Sequence, residues 1–185
     1  MEENPEKGKI LISEPFLIDP NFKRTIILIT EHGEEGSLGF VLNRPTEHYI
    51  HALVEDFPEF DAKLFYGGPV QPNMLQFIYR ANDAFIENSI EITPGLYWGG
   101  SFDIIKMMIE AGTVKAEDFR FFLGYSGWEE EQLADELEAN SWIVANTTIE
   151  SIFSDEPDKL WRDTLKGMGK KFAILASFPE NPSVN

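Results

Sequence analysis

The sequence contains no cysteine, and it has no long apolar run. Without cysteine there can be no disulfide, zinc–thiolate site or thiol nucleophile, which fits a reducing compartment. No stretch approaches the roughly 18 apolar residues of a membrane span. The polar segment 1–7 is expected to be a flexible N-terminus. We therefore predict a cytoplasmic protein without a membrane segment.

Positive charge is also scarce. The 15 Lys and Arg residues face 32 Asp and Glu residues, which gives a formal net charge of −17. Such a surface repels nucleic acid, whose binding depends on cations that neutralise phosphates. The bases collect on one predicted helix, at Lys159, Arg162, Lys166 and Lys170. Acidic residues lie at the start of that helix and the bases lie towards its end, which is the distribution that the helix macrodipole favours. The macrodipole therefore explains the bases, and we expect no direct nucleic-acid binding.

Short apolar runs bounded by Gly, Pro, Asn or Asp predict the strands. The run "RTIILITE", residues 24–31, is apolar enough for a central strand covered on both faces. The turn "EHGEEGS" and the returning run "LGFVLN" predict a hairpin. Further strands are predicted at "KILIS", "AKLFYG", "MLQFIYR", "SIEIT", "RFFLGY" and "SWIVAN".

Four helices are predicted between these strands: "EHYIHALVEDF", "SFDIIKMMIEAG", "EEEQLADELEA" and "PDKLWRDTLKGMG". In the second of these helices, Ser101 is a candidate N-cap, and Gly112 is expected to end the helix. The elements alternate irregularly, without βαβ spacing, which predicts the α+β class. A chain of 185 residues is expected to form one domain, residues 1–185.

Two segments suggest metal or anion binding. His48, His51 and Glu55 share one face of the first predicted helix, but that face lies opposite the apolar stripe and should be solvated. The glycine pair of "YWGGSFDIIK" precedes a helix start and could hold an anion. Because the segment lacks the spacing of a phosphate-binding loop, a simple turn is the alternative.

The segment "LGYSGWEEEQL" has the order strand, glycine-flanked serine and helix, as in a nucleophile elbow. The elbow motif requires a glycine where this chain has Trp128. A tight turn explains Gly124 and Gly127 equally well, with Ser126 as a cap and Trp128 packed. A serine hydrolase would have to take its base from His32, His48 or His51.

The segment "GFVLNRP" ends a strand on Asn43, Arg44 and Pro45. Pro45 should stop the strand, and strand alternation places Asn43 and Arg44 on opposite faces. His32 lies at the other end of the hairpin, roughly 20 Å away, so a His32–Asn43 catalytic pair is not expected. We expect Arg44 to bind an acidic side chain or the carbonyls of the "YGGPV" turn, with presentation to an anionic ligand as the alternative.

Five segments together resemble the YqgE/AlgH family, uncharacterised bacterial proteins sometimes labelled transcriptional regulators. They are "PFLIDPNFKRTIILITEHGEEGSLGFVLNRP", "YGGPV", "GLYWGG", "GYSGWEEEQLADELEANSW" and "SIFSDEPDKLW", and in this order they cover nearly the whole chain. The resemblance implies one α+β domain with a strongly bent, branching mixed sheet like a partial barrel and helices packed around it. It implies no established activity, cofactor or metal.

The resemblance also implies a binding surface near the "LNRP", "YGGPV" and "GYSGW" turns. Its polar and glycine positions fall on His32, Asn43, Arg44, Gly67, Gly68, Pro69, Gly124, Tyr125, Gly127 and Trp128, with Ser126 among them. Glu129 and Glu131 depart from the family's small residues, which argues against an anion site at that helix start. We expect a non-enzymatic binding or regulatory protein with a protein or small-molecule partner. The alternatives are a hydrolase using the same turns and, third, a DNA-binding regulator.

Overall fold

The computed structural model describes residues 3–82 and 86–179. Within these residues the strands are β1 Ile10–Ser13, β2 Ile26–Gly33, β3 Gly36–Val41, β4 Pro45–Tyr49, β5 Lys63–Tyr66, β6 Val70–Arg80, β7 Ile90–Thr93, β8 Leu96–Trp98, β9 Phe119–Trp128 and β10 Trp142–Ala145. The helices are α1 Ile50–Leu53, α2 Phe102–Glu110, α3 Gln132–Glu138, α4 Ile149–Ile152, α5 Pro157–Gly167 and α6 Lys170–Ser177. A short 3₁₀ helix, Ala116–Asp118, leads into β9.

All these strands belong to one sheet that branches at β9. The main path runs β10-β1-β2-β3-β9-β6-β8-β7, and β5 joins β9 in parallel while pairing with β4. The first part of β9 contacts β5 and β6, and its last residues, Ser126 to Trp128, pair with β3. The predicted α+β class with an open, branching mixed sheet is confirmed.

The apolar part of strand β2, Ile26 to Thr30, is buried on both faces, as its uniform apolar sequence predicts. Ile26 and Leu28 join the cluster that includes Trp161 of α5. Ile27 and Ile29 point the other way, into the cluster that includes Leu133 of α3. β2 pairs with β3 as the predicted hairpin, with a bulge between Ile29 and the first glutamate of the turn.

The helix predicted over residues 47–57 is wrong for most of its length. Strand β4 replaces its start, because Pro45 and Tyr49 pair with residues of β5, and only α1 is helical. His48 therefore lies in a strand, and the ring Nδ1 of His51 lies 2.8 Å from the carbonyl oxygen of Phe60. Among the described residues no group of three or more His, Asp or Glu could hold a metal ion.

The predicted Ser101 N-cap is confirmed, since its side chain accepts a hydrogen bond from the Ile104 amide. The short elements β8, α4 and α6 are not among the predicted ones. In the N-terminal segment 1–7, residues 1 and 2 lie outside the described residues, and Lys7 donates to the Glu91 carbonyl. Flexibility of that segment stays a prediction. No helix in the described ranges has the length and apolarity to cross a bilayer.

Candidate functional site

Two concave surfaces lie at opposite ends of the β2–β3 hairpin. The first, the turn groove, has a volume of about 660 Å³ and is lined by residues 31–38, Val70, Tyr125, Gly127, Trp128, Glu129 and Gln132. The second, the basic cleft, has a similar volume of about 660 Å³ and is lined by Pro20, Lys23, Arg24, Asn43, Arg44, Asp158, Lys159, Trp161 and Arg162. The predicted site residues are divided between these two surfaces and the packed layer between them.

In the turn groove, His32 faces its cross-strand partner. The hairpin register pairs His32 with Ser37, and the ring Nδ1 lies 2.7 Å from the Ser37 hydroxyl oxygen. Ser37 in turn pairs with Trp128 of β9, so three strands meet at this point. Sequence reasoning did not single out Ser37, although its position five residues after His32 across a tight turn would have identified the pair.

The floor of the groove is aromatic and fixed. The Trp128 indole nitrogen donates to Glu136 of α3 at 2.9 Å, and the Trp142 indole donates to the same carboxylate oxygen at 2.7 Å. The Phe22 ring stacks on Trp128. The prediction that Trp128 serves packing is confirmed. Half-buried Tyr125 also lines the groove.

The walls of the groove are acidic. Four glutamates line it: Glu31, Glu34, Glu35 and Glu129. None of the described residues that line it is a lysine or an arginine. All four glutamates are exposed. A ligand with positive charge would therefore be attracted here, and an anionic one repelled.

A layer of close backbone contacts separates the two surfaces. The Gly67 amide donates to the Leu123 carbonyl at 2.8 Å, and the Gly67 carbonyl accepts from the Val41 amide at 2.9 Å. A Cβ on Gly68 would lie 2.3 Å from the carbonyl carbon of Tyr125. The predicted close approach of this glycine pair is confirmed. Pro69 follows the pair on the surface.

Ser126 belongs to this layer, so the turn or cap role suggested for it by the sequence is wrong. The strand β9 continues through Trp128 without a turn, because Ser126 and Gly127 pair with β3. Ser126 is fully buried and donates its hydroxyl to the Gly67 carbonyl at 3.1 Å. It neither caps α3 nor sits in an elbow. Gly124 has a left-handed φ of 67°, where a Cβ would lie 2.5 Å from the Gly68 carbonyl oxygen.

Asn43 closes the open end of the hairpin. Its side-chain oxygen accepts from the Ile26 amide at 2.9 Å, and its side-chain nitrogen donates to the Arg24 carbonyl at 2.8 Å. The buried amide therefore continues the β2–β3 pairing one step beyond the end of β3. The predicted pairing of Asn43 near Arg24 is confirmed.

Arg44 binds carbonyls, but not those predicted. Its Nη2 donates to the Lys23 carbonyl at 2.7 Å and lies 3.5 Å from the Pro20 carbonyl, in the loop before β2. The neighbouring strand is already bound by the main chain, since the Tyr66 amide donates to the Arg44 carbonyl. The Arg44 side chain therefore extends to the loop before β2 and not to the neighbouring strand β5. Burial raises the pKa of Tyr66, and the charge of Arg44 partly opposes that rise.

Arg24 lines the basic cleft, and sequence reasoning did not single it out as a site residue. Its backbone has a left-handed φ of 53°, which is rare outside glycine. Its Nη2 donates to the Phe178 carbonyl at 2.5 Å, and its guanidinium lies 5.0 Å from the Trp161 ring centroid. Its buried Nε has no hydrogen-bond partner among the described residues.

Comparison with known sequences gives one consistent result. The sequence profile of a family described as AlgH-like matches residues 10–173. The UPF0301 protein of Cytophaga hutchinsonii is 43% identical over 179 residues, which are 97% of this chain and 98% of that protein. The UPF0301 protein CT0663 of Chlorobaculum tepidum is 40% identical over 178 residues, 96% of this chain and 95% of that protein.

Two solved structures are similar over almost the full length. The solution structure of the AlgH protein from Pseudomonas aeruginosa matches with a TM-score of 0.72 at 27% identity, covering 97% of this chain and 98% of that one. The crystal structure of protein DIP2367 from Corynebacterium diphtheriae gives a TM-score of 0.81 at 20% identity, covering 96% and 95%. At 20% identity the second likeness concerns the fold alone.

Proposed function

The chain belongs to the AlgH-like family, and we propose that it is a non-enzymatic binding protein of regulatory type that acts in the cytoplasm through the turn groove. One observation carries the proposal. Four of the residues singled out by the family resemblance, His32, Tyr125, Gly127 and Trp128, line this one concave surface, although they come from two separate segments. The whole chain would act as one domain.

The chemistry of the groove supports binding better than catalysis. Its aromatic floor is held by packing and by hydrogen bonds to Glu136, so it offers a rigid apolar base. Its glutamates favour a basic segment of a partner protein over any nucleic acid. Ser126, the candidate nucleophile, is fully buried with its hydroxyl donated to a main-chain carbonyl.

Site-specific crosslinking in cells tests this proposal. A photoreactive amino acid at Glu34, on the groove, should crosslink one defined protein, whereas the same group at Glu110, exposed on α2, should not. The purified partner should bind the Glu35→Lys variant at least about tenfold more weakly than the parent, because charge reversal repels a basic segment. Glu110→Lys, an equal change of charge elsewhere, should bind like the parent.

Two results would refute the proposal. One is a partner that crosslinks equally from Glu34 and Glu110. The other is a partner whose affinity falls equally in Glu35→Lys and Glu110→Lys, which would mean attraction to net charge and not to the groove.

A hydrolase is the second candidate, and the His32–Ser37 contact is the observation that favours it. At 2.7 Å the ring nitrogen could accept the Ser37 proton during attack on an acyl group. Cross-strand pairing explains the same contact without chemistry. A fluorophosphonate probe decides between them: the binding proposal expects no labelling. Labelling of Ser37 that disappears in both Ser37→Ala and His32→Gln would make the hydrolase the better reading.

A further inference from the structure

The basic cleft concentrates positive charge in a strongly acidic protein. Of the 15 Lys and Arg residues in the chain, five line this cleft, and Asp158 is the one carboxylate among the described residues that line it. The five come from two distant segments, the loop and strand ends around residues 23–44 and helix α5. The helix macrodipole accounts for bases along α5, but it does not account for their meeting Arg24 and Arg44.

In the part of the chain that the structure describes, the arginines of the cleft have no carboxylate partner. Within the described residues, Arg24, Arg44 and Arg162 form no ion pair, although acids outnumber bases about twofold in the chain. Arg80, by contrast, pairs with Asp118 at 2.8 Å. Guanidinium groups that converge on one cavity without carboxylate partners among the described residues are costly for folding, and a bound anion would remove that cost.

Two of the guanidinium groups are held in place before any ligand arrives. Arg44 is fixed by the Lys23 carbonyl, and Arg24 is fixed by the Phe178 carbonyl and the Trp161 ring. The hydrogen bonds of both use Nη2, so among the described residues other N–H groups on each remain without a protein partner. Arg24 also keeps a left-handed backbone, a strain that is typical of functional positions.

We propose that the basic cleft binds a small phosphorylated anion, with Arg24, Arg44 and Arg162 as its donors. Planar guanidinium groups match the paired oxygens of phosphate and remain charged at any ordinary pH. A volume of about 660 Å³ is within the range of small-molecule sites. The acidic remainder of the surface repels a long polyanion, whereas a small ligand meets only the cleft. This site is distinct from the turn groove and does not rest on the proposed function.

Titration calorimetry with inorganic pyrophosphate tests the proposal on the full chain. In about 150 mM NaCl, where diffuse attraction is screened, the parent should show saturable binding. Arg162→Gln should weaken it about tenfold or more, because one charged donor pair is lost. Lys166→Gln is the matched control: it removes the same charge from an exposed position one turn along α5, outside the cleft. The affinity of Lys166→Gln for pyrophosphate should stay within about twofold of the parent's affinity.

Three outcomes would overturn the proposal. They are no saturable binding up to roughly 1 mM pyrophosphate, equal weakening by Arg162→Gln and Lys166→Gln, and citrate binding as tightly as pyrophosphate. Thermal melting of each variant confirms that it is folded, and exposed Arg162 can be changed without opening the core.

Discussion

The two ends of one hairpin carry opposite charge and are built in different ways. At the turn of β2 and β3, four exposed glutamates surround a floor of packed aromatic rings. At the open end, five cations surround a cavity, and two of its arginines, Arg24 and Arg44, are held by main-chain carbonyls. The acidic end follows from a composition with 32 acids, but the basic end runs against it. Because a third of the chain's cations lie in one cleft, the basic end says more about function than the acidic end does.

The packed layer between the two ends makes them separable. Gly67, Gly68 and Ser126 bring the β5–β6 connection against β9 at backbone distance, and no side chain of this layer reaches either cavity. The layer therefore supports both surfaces without belonging to either. Variants of the layer should damage both ends, and variants of one end should leave the other unchanged.

The largest effect is expected for Gly68→Ala. A Cβ there would lie 2.3 Å from the Tyr125 carbonyl carbon and 2.4 Å from the Ser126 amide nitrogen, and neither backbone atom can move without separating β9 from its neighbours. We expect the free energy of unfolding to fall by about 3 kcal/mol or more, with both surfaces lost together. Urea denaturation followed by circular dichroism measures this loss.

Gly99→Ala is the matched control for Gly68→Ala. Gly99 also has a positive φ, 73°, but a Cβ there meets nothing within 4 Å. It should cost only the backbone strain, about 1 kcal/mol. Equal losses in the two variants would show that close packing at Gly68 does not hold the ends together.

An intermediate effect, confined to the open end, is expected for Asn43→Ala. The buried Ile26 amide and Arg24 carbonyl would lose their partner, at a cost of about 2 kcal/mol in the free energy of unfolding. Pyrophosphate binding should weaken because the Arg24 main chain loses its hydrogen bond to Asn43, while Glu34 crosslinking should persist. Asn146→Ala, which removes one exposed hydrogen bond to Glu3, should cost less than about 0.5 kcal/mol. A loss of crosslinking in Asn43→Ala would contradict the separation of the two ends.

The frame of the hairpin could be predicted from the sequence because its signals are local. Uniform apolarity predicts a doubly covered β2, and Ser101 precedes a periodic run that forms α2. The helix predicted at residues 47–57 is wrong for most of its length, and at its start the pairing of β4 with β5 outweighs local preference. β9 was interrupted at Ser126 in the prediction, because glycines on either side suggest a turn when their close contacts are unknown.

The division of the site residues could not be predicted, since it depends on contacts between distant segments. The Trp161 indole donates to the Ser13 carbonyl, 148 residues away, and this contact brings α5 beside the start of β2. Without it, Arg162 looks like part of a solvated helix face. Ser37 was accessible in principle, because hairpin register alone places it opposite His32. Arg24 carries no local signal, since its left-handed φ depends on the loop that precedes β2.

The smallest effect concerns the charges themselves. If like charges are crowded at each end, removing one should relieve local repulsion, because groups that share a cavity lie within the roughly 10 Å over which salt fails to screen them. Glu35→Gln and Arg162→Gln should then each raise the melting temperature of the ligand-free protein by about 1 °C.

For Arg162→Gln the expected change in melting temperature is opposite to the change that the net charge of the protein predicts. The sign of the measured change therefore decides between the two effects. In a protein at −17, loss of a cation anywhere should destabilise through overall repulsion, so a rise requires that the nearby cations outweigh it. The Lys166 ammonium lies 3.8 Å from Asp163, so the melting temperature of Lys166→Gln should fall slightly. Differential scanning calorimetry in low and high salt measures all three, and the differences should shrink as salt is added. If the melting temperatures of Arg162→Gln and Lys166→Gln both fall, the cations of the cleft are too far apart to act as one site. The contrast between the two ends would then reflect only which charged residues each end contains.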